Sequence, residues 1–213
     1  MNKTFLVIGT FIYISTSAAA VITLPAQLTV GNQIVDFESK PLGVTLNPLT
    51  IGEVTFSATT PLAIDTVSSF GANGTFVQDH VLRSNGSNSL GSAGYVDIRI
   101  DFSTKVVEVG LGWFDPNFTG NELRAYNSSN VLLEAAPIPT GPAGGSFAAF
   151  RGFQRPQGDI SYVIAHVSAA NDVFAIDNVS FQTVPEPQAF VLAAAGLVAL
   201  RVRRTLTKAT SKT

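Results

Sequence analysis

The 213-residue sequence contains no cysteine, only two histidines, and few charged residues, which make up 13% of the chain. Without cysteine there is no disulfide framework, no thiol nucleophile and no thiolate metal site. With so few charges, the soluble surface must consist largely of hydroxyl and amide groups, a composition that suits extracellular β proteins. His80 and His166 lie far apart in the sequence, so no histidine pair has the spacing of metal ligands.

The basic residues are concentrated at the two ends of the chain. Six of the 13 lie in the terminal segments, which leaves 7 between residues 21 and 183 against 14 acidic residues. This middle part carries a charge of about −7, so a polyanion is an unfavourable partner and no nucleic-acid binding is expected. Its length of about 160 residues suits one domain with a full hydrophobic core.

Residues 1–20 have the three parts of a secretory signal peptide. Lys3 provides the positive start, residues 5–14 form an apolar run, and residues 15–20 are small or hydroxylated. A buried N-terminal helix is the alternative, but the run is dominated by Val, Ile, Phe and Tyr and shows no amphipathic stripe. We therefore expect export, with cleavage after Ala20.

The C-terminal segment combines a short motif, an apolar run and a basic cluster. These are Pro185, Glu186 and Pro187, then residues 189–200, then Arg201, Arg203 and Arg204. A helix over the 12-residue run reaches only about 18 Å, short of a hydrocarbon core of about 30 Å. A soluble core helix is the alternative, but the run leaves no polar side for solvent, and the arginines follow it as a positive-inside stop would.

In this order, and with a signal peptide at the opposite end, these elements resemble the PEP-CTERM sorting signal of Gram-negative bacteria. The resemblance implies that residues 184–204 form a sorting and anchor segment with a short transmembrane helix, followed by a basic cytoplasmic tail, residues 205–213. It also implies transient anchoring in the inner membrane, an exosortase-type processing enzyme as partner, and transfer towards the cell surface, often in bacteria that make exopolysaccharide.

The domain between the ends, residues 21–183, shows short alternating runs separated by Gly, Pro, Asn and Ser, the pattern of antiparallel strands. Ten candidate strands are 34–38, 54–57, 75–82, 95–102, 106–113, 122–126, 131–135, 147–153, 160–167 and 173–181. No helical period is convincing between them. We predict an all-β fold, a jelly-roll-like β-sandwich of two sheets, flanked by the signal helix and the C-terminal transmembrane helix.

The residue pattern of this domain, from residues 35–38 near its start to residues 174–181 at its end, resembles that of the β-sandwich ectodomains common in PEP-CTERM proteins. Those ectodomains are similar in outline to carbohydrate-binding modules. This resemblance implies the fold.

Carboxylates at the two ends of the domain form a candidate calcium site. Asp36 and Glu38 lie on one face of the first predicted strand, whereas Asp177 and Asn178 lie in the last one. If the terminal strands pair, these oxygens converge on a hard cation. Related carbohydrate-binding folds hold a calcium at a comparable place. The alternative is that Asp177 and Asn178 form a bulge or turn and that the acids are solvated.

A second candidate site lies where the strand 106–113 meets a polar loop. Trp113 and Phe114 offer ring planes on which a sugar can stack, and Asp115 and Asn117 offer hydrogen-bonding groups beside them. The alternative is a core role, because Trp113 continues the apolar face of that strand. In this alternative the loop is a turn between strands.

Enzyme motifs are scarce in the sequence, which contains neither a Gly-x-Ser-x-Gly elbow nor a phosphate-binding loop with lysine. We expect a non-enzymatic protein of the cell surface or extracellular matrix, sorted by an exosortase-type system and associated with exopolysaccharide. One alternative is a specific carbohydrate-binding module. Another is a secreted hydrolase, in which the fold brings His80 or His166 together with an acid and a hydroxyl group.

Overall fold

The structure of the protein, a computed structural model, describes residues 19–29, 32–67, 75–84, 94–142, 147–170 and 172–184. Within these ranges the chain forms one 3₁₀ helix, Pro25–Gln27, and antiparallel strands. The strands are β1 (Ala20–Ile22), β2 (Gln33–Val35), β3 (Gly43–Val44), β4 (Leu49–Ile51), β5 (Val54–Ser57), β6 (Ala63–Thr66), β7 (His80–Arg83), β8 (Ile98–Phe114), β9 (Glu122–Tyr126), β10 (Leu132–Pro137), β11 (Ala148–Gln154), β12 (Ile160–His166) and β13 (Ala175–Thr183).

The prediction of an all-β fold is confirmed for the described residues. The predicted signal segment lies outside them except for residues 19 and 20, and Ala20 begins β1, which pairs with β11. The predicted C-terminal helix lies outside the described residues, as do the sorting motif and its arginines. A search of the described ranges finds no helix with the length and hydropathy needed to cross a membrane.

Strand β8 organises the sheet because its two halves pair with different neighbours. Its first half lies between β5 and β12, with Ile100 opposite Phe56 on one side and Val163 on the other. Its second half lies between β11 and β13, with Gly112 opposite Phe150 and Asp177. At 17 residues it is far longer than an ordinary strand of about 5–6 residues, and both halves of the sheet are built on it.

The remaining strands extend each half outwards. Beside the first half of β8, β9 and β10 follow β12, and β4 follows β5. Beside the second half, β1 follows β11, β2 and β7 pair with different parts of β13, and β6 and β3 continue from β7. The described edges are short strands, which limits unwanted pairing with other chains.

One hydrophobic core receives side chains from both halves of β8. Ile98 and Ile100 come from the first half, whereas Val109, Leu111 and Trp113 come from the second, and all five are 0% exposed. Residues two apart in a strand lie on the same face of the sheet. Apolar residues alternate along each half of β8, so both halves direct their apolar face into the same core.

Several predicted strands agree closely with the structure, and three do not. The prediction 75–82 is wrong for residues 75–79, which form no strand before β7 begins at His80. The predictions 54–57 and 122–126 coincide with β5 and β9. Predicting 95–102 and 106–113 as separate strands is wrong, because the residues between them stay extended and join them in β8. Strands β1, β3 and β4 lie outside the predictions, since two or three residues are too few to show alternation. Strand β6 lies outside them as well.

The second half of β8 is buried on both faces, from residue 108 to residue 114. On the face away from the core, the ring of Phe150 lies against Gly110 and the backbone carbonyl of Phe76 lies against Gly112. A Cβ atom at either glycine would overlap these groups. The two glycines therefore allow Phe76 and Phe150 to lie directly on the backbone of β8 as a second layer. This layer continues into a smaller hydrophobic cluster.

We expect Gly112→Ala to lower the free energy of unfolding by about 3 kcal/mol, because the new methyl group meets a backbone carbonyl that cannot rotate away. Gly52→Ala is the matched control. Nothing lies within 4 Å of its Cβ position, but its φ of +57° makes alanine cost about 1 kcal/mol. Urea denaturation followed by circular dichroism measures both. Equal losses for the two variants would contradict the proposed close approach at Gly112.

Candidate functional site

The aromatic rings predicted to stack on a sugar lie inside the protein. Trp113 and Phe114 are both 0% exposed. Trp113 packs on Phe174 in the main core, with 5.1 Å between ring centroids, whereas Phe114 belongs to the smaller cluster on the opposite face of β8. Neither ring presents a plane to solvent, so the core alternative applies to both.

The polar loop after β8 is organised by the buried carboxylate of Asp172, which is 0% exposed. This carboxylate accepts hydrogen bonds from the backbone N–H groups of Asn117 (2.9 Å) and Phe118 (3.3 Å) and from the Asn121 amide (2.6 Å). Asp115 is only 3% exposed and has a φ of +50°. The predicted binding residues Asp115 and Asn117 therefore lie in a loop that Asp172 fastens from the protein interior. This agrees with the alternative that the segment is a connection between strands.

We expect Asp172→Ala to lower the free energy of unfolding by about 3 kcal/mol, because it leaves the buried Asn121 amide and two partly buried backbone N–H groups without their acceptor. Asp159→Ala is the control, since Asp159 is 31% exposed and its ion pair with Arg155 should contribute at most about 1 kcal/mol. Urea titration of both variants checks the difference. Losses below about 1 kcal/mol for both would show that Asp172 does not hold the loop.

Two of the predicted metal ligands hold the segment that precedes β7. The carboxylate of Asp177 is 0% exposed and accepts hydrogen bonds from the backbone N–H groups of Gln78 and Asn178, each at 2.7 Å. Glu38 accepts one from the backbone N–H of His80 at 2.8 Å. These contacts fix the segment on the outer face of the sheet.

The negative charges of Glu38 and Asp36 act on the carboxylate of Asp177. In the described part of the chain, no three His, Asp or Glu side chains are grouped so as to hold a metal ion. Backbone N–H groups already use oxygens of Asp177 and Glu38. The calcium site stays a prediction.

Burial raises the pKa of Asp177 from 3.8 to about 7. The hydrogen bonds from the Gln78 and Asn178 backbone favour the charged form and lower the pKa, whereas the negative charges of Glu38 and Asp36 raise it further. Because burial dominates, Asp177 titrates close to neutral pH while it serves as a structural acceptor.

We expect the protein to lose stability as the pH rises from about 4 to about 7 through this group. The folded-state pKa lies above the unfolded value of 3.8, so the folded state holds the proton more tightly. This contribution is fully present below about pH 4 and is lost as the pH rises through about 7. Asp177→Asn, which stays neutral, should flatten this part of the pH profile of the urea midpoint.

Asp101→Asn serves as the matched control for this pH profile, because Asp101 is 38% exposed and pairs with Arg99 away from the segment before β7. It should keep the wild-type slope between pH 4 and 7. An unchanged slope in Asp177→Asn would show that another group causes the pH dependence.

Strand β13 has a bulge beside this carboxylate, because its register against β8 shifts between Asp177 and Ser180. Within the bulge, Asn178 has a φ of +50°, and its side-chain amide donates a hydrogen bond to the carbonyl of Phe76 at 3.3 Å. The bulge interpretation is confirmed. The accompanying expectation of solvated acids is wrong for Asp177, which is buried.

A cleft of about 190 Å³ opens between this bulge and the segment before β7. Eight residues line it: Pro25, Ile34, Thr75, Phe76, Gln78, Phe150, Asn178 and Ser180. The rings of Phe76 and Phe150 lie 6.2 Å apart at an angle of 39°. None of the described side chains that line the cleft is ionisable. Because its walls come from the 3₁₀ helix, from β2, β11 and β13, and from a segment without regular structure, no local motif marks it in the sequence.

The chain matches no family model, and no curated protein matches it. Among solved structures it is similar to the K2 cleaved adhesin domain of Lys-gingipain, with 14% identity, a TM-score of 0.48, and coverage of 72% of this chain and 99% of that one. It is also similar to the K1 cleaved adhesin domain of Lys-gingipain from Porphyromonas gingivalis W83, with 11% identity, a TM-score of 0.40, and coverage of 79% and 100%. At TM-scores below 0.5, neither likeness carries an argument about ligand or role.

Proposed function

We propose that the chain is a non-enzymatic protein of the cell surface or extracellular matrix, built on a jelly-roll-like β-sandwich and associated with exopolysaccharide. In this proposal, residues 1–20 direct export, and residues 184–204 hold the precursor in the inner membrane through a short helix. An exosortase-type enzyme then recognises Pro185, Glu186 and Pro187 with the arginines 201, 203 and 204, and the protein is released or transferred to the surface.

The observation that carries the non-enzymatic part is the use of the buried carboxylates. Asp172 and Asp177 accept hydrogen bonds from backbone and amide N–H groups, and so does Glu108. Each of them fastens a loop or segment to the sheet. These carboxylates therefore support the fold, whereas a hydrolase would direct an acid at an imidazole and a nucleophile.

One acid–imidazole pair does exist, and a hydrolase of the Ser-His-Asp type would need such a pair. His166 lies beside Asp97, with 2.9 Å between Nδ1 and Oδ1, and the same carboxylate accepts the backbone N–H of Val167 at 3.0 Å. Within the described ranges, the rings of His166 and His80 have no hydrogen bond to a hydroxyl group. The pair therefore lacks a positioned nucleophile among these residues.

The extent of the sheet supports processing near residue 187. The chain divides into two compact units, residues 1–183 and residues 184–213, and β13 ends at Thr183. Removal of the second unit would leave every described strand intact. The released protein would then keep its fold.

We expect the protein to lose the segment from about residue 187 onward only in a host that carries an exosortase, because the motif is read by that enzyme. Intact mass of the protein in membrane and medium fractions measures this. Replacing Pro185, Glu186 and Pro187 together with alanine should abolish the mass change. Lys208→Ala with Lys212→Ala, basic residues outside the motif, is the control and should leave processing unchanged.

Retention of residues 187–213 in both hosts would overturn the sorting proposal. The C-terminal segment would then be a plain anchor, and the function would have to be sought at the outer face of the inner membrane.

A further inference from the structure

The cleft beside the β13 bulge has the size of a site for one ring of a ligand. Its volume of about 190 Å³ lies below the roughly 300–1,000 Å³ of pockets that enclose drug-sized molecules. Of its lining residues, Ile34 is 61% exposed and Phe150 is 3% exposed, so the lining reaches from the surface to buried side chains. A linear polymer can therefore place one of its units in the cleft while the neighbouring units continue across the protein surface.

The cleft wall combines aromatic and amide groups. Phe76 and Phe150 contribute aromatic rings to the lining, and Gln78 and Asn178 contribute side-chain amides. The hydroxyl group of Ser180, also in the lining, donates a hydrogen bond to the carbonyl of Asn178 at 3.2 Å. An amide both donates and accepts hydrogen bonds. This combination matches a sugar ring, which has apolar C–H faces and a rim of hydroxyl groups that also donate and accept.

The charge around the cleft favours a neutral ligand. None of the described lining residues is ionisable, and the carboxylate of Asp177 behind the wall is turned towards backbone N–H groups. The region from residue 21 to residue 183 has 7 basic and 14 acidic residues, so its overall field repels anions.

The wall of the cleft is held in place before any ligand arrives. Asp177 accepts the backbone N–H of Gln78 at 2.7 Å, and the amide of Asn178 donates to the carbonyl of Phe76 at 3.3 Å. Asn178 keeps a φ of +50°, a conformation that side-chain-bearing residues adopt rarely and that clusters at ligand sites. A fixed wall reduces the entropy lost on binding.

We propose that this cleft binds one unit of a neutral polysaccharide, with the sugar ring against Phe76 and its hydroxyl groups hydrogen-bonded by Gln78 and Asn178. This names a ligand class for the surface protein proposed above. The biological role of the binding rests on that proposed function, whereas the binding itself is argued from the cleft.

The test is calorimetric titration of the full-length chain with neutral hexasaccharides of β-1,4-glucose, α-1,4-glucose, mannose and xylose. The chain is purified in a zwitterionic detergent, because detergents with sugar headgroups would compete for the cleft. At least one hexasaccharide should bind saturably, and Gln78→Ala should weaken that binding about five- to tenfold by removing hydrogen bonds to the sugar. Gln78 is exposed, so this variant should fold normally.

Two further variants sharpen the result. Phe76→Leu should weaken binding at least as much as Gln78→Ala, because it removes the aromatic plane. Gln157→Ala, an exposed glutamine in the turn after β11, is the matched control and should bind like the wild type.

Binding to none of the four hexasaccharides would overturn the proposal, and so would binding that Gln78→Ala and Phe76→Leu leave unchanged. A proline-rich peptide that binds in a Gln78-dependent manner, with no sugar binding, would assign the cleft to peptides instead. The titration uses soluble ligands and no exosortase. Its failure therefore leaves the processing result untouched, and a failure of processing leaves the titration interpretable.

Discussion

The fold depends on how the outer face of the second half of β8 is covered, because this stretch is buried on both sides. At one end, Glu108 is 0% exposed and its carboxylate accepts hydrogen bonds of 2.7 to 3.1 Å from Thr29, Asn32 and Gln154. Further along, glycines allow an aromatic ring and a peptide carbonyl to lie on the backbone. A buried acid and two glycines thus shape one surface together.

Asp177 joins that surface to the cleft. Its carboxylate is desolvated by the same layer that it holds in place, which is why its pKa rises to about 7 although it accepts two backbone hydrogen bonds. The adjoining bulge turns Asn178 towards the segment before β7. Stability near neutral pH and the shape of the cleft are consequently properties of the same few residues.

The sequence predicted the all-β class and most of the longer strands, because alternation over five or more residues reports which face is buried. It missed the joining of two predicted strands into β8, since residues 103–105 are exposed and polar where the strand passes from one half to the other. It missed the cleft as well, because Phe76 and Phe150 meet only after β8 brings their segments onto one face.

Amide hydrogen exchange at Gln78, measured by NMR, tests most directly whether the Asp177 carboxylate holds the outer layer on the sheet. The Gln78 side chain is exposed and its backbone lies outside every described strand, so its amide has no strand partner to protect it. We predict slow exchange in the wild-type protein, similar to that of amides in β13, and fast exchange in Asp177→Ala. Fast exchange at Gln78 in the wild-type protein would contradict this account of the fold.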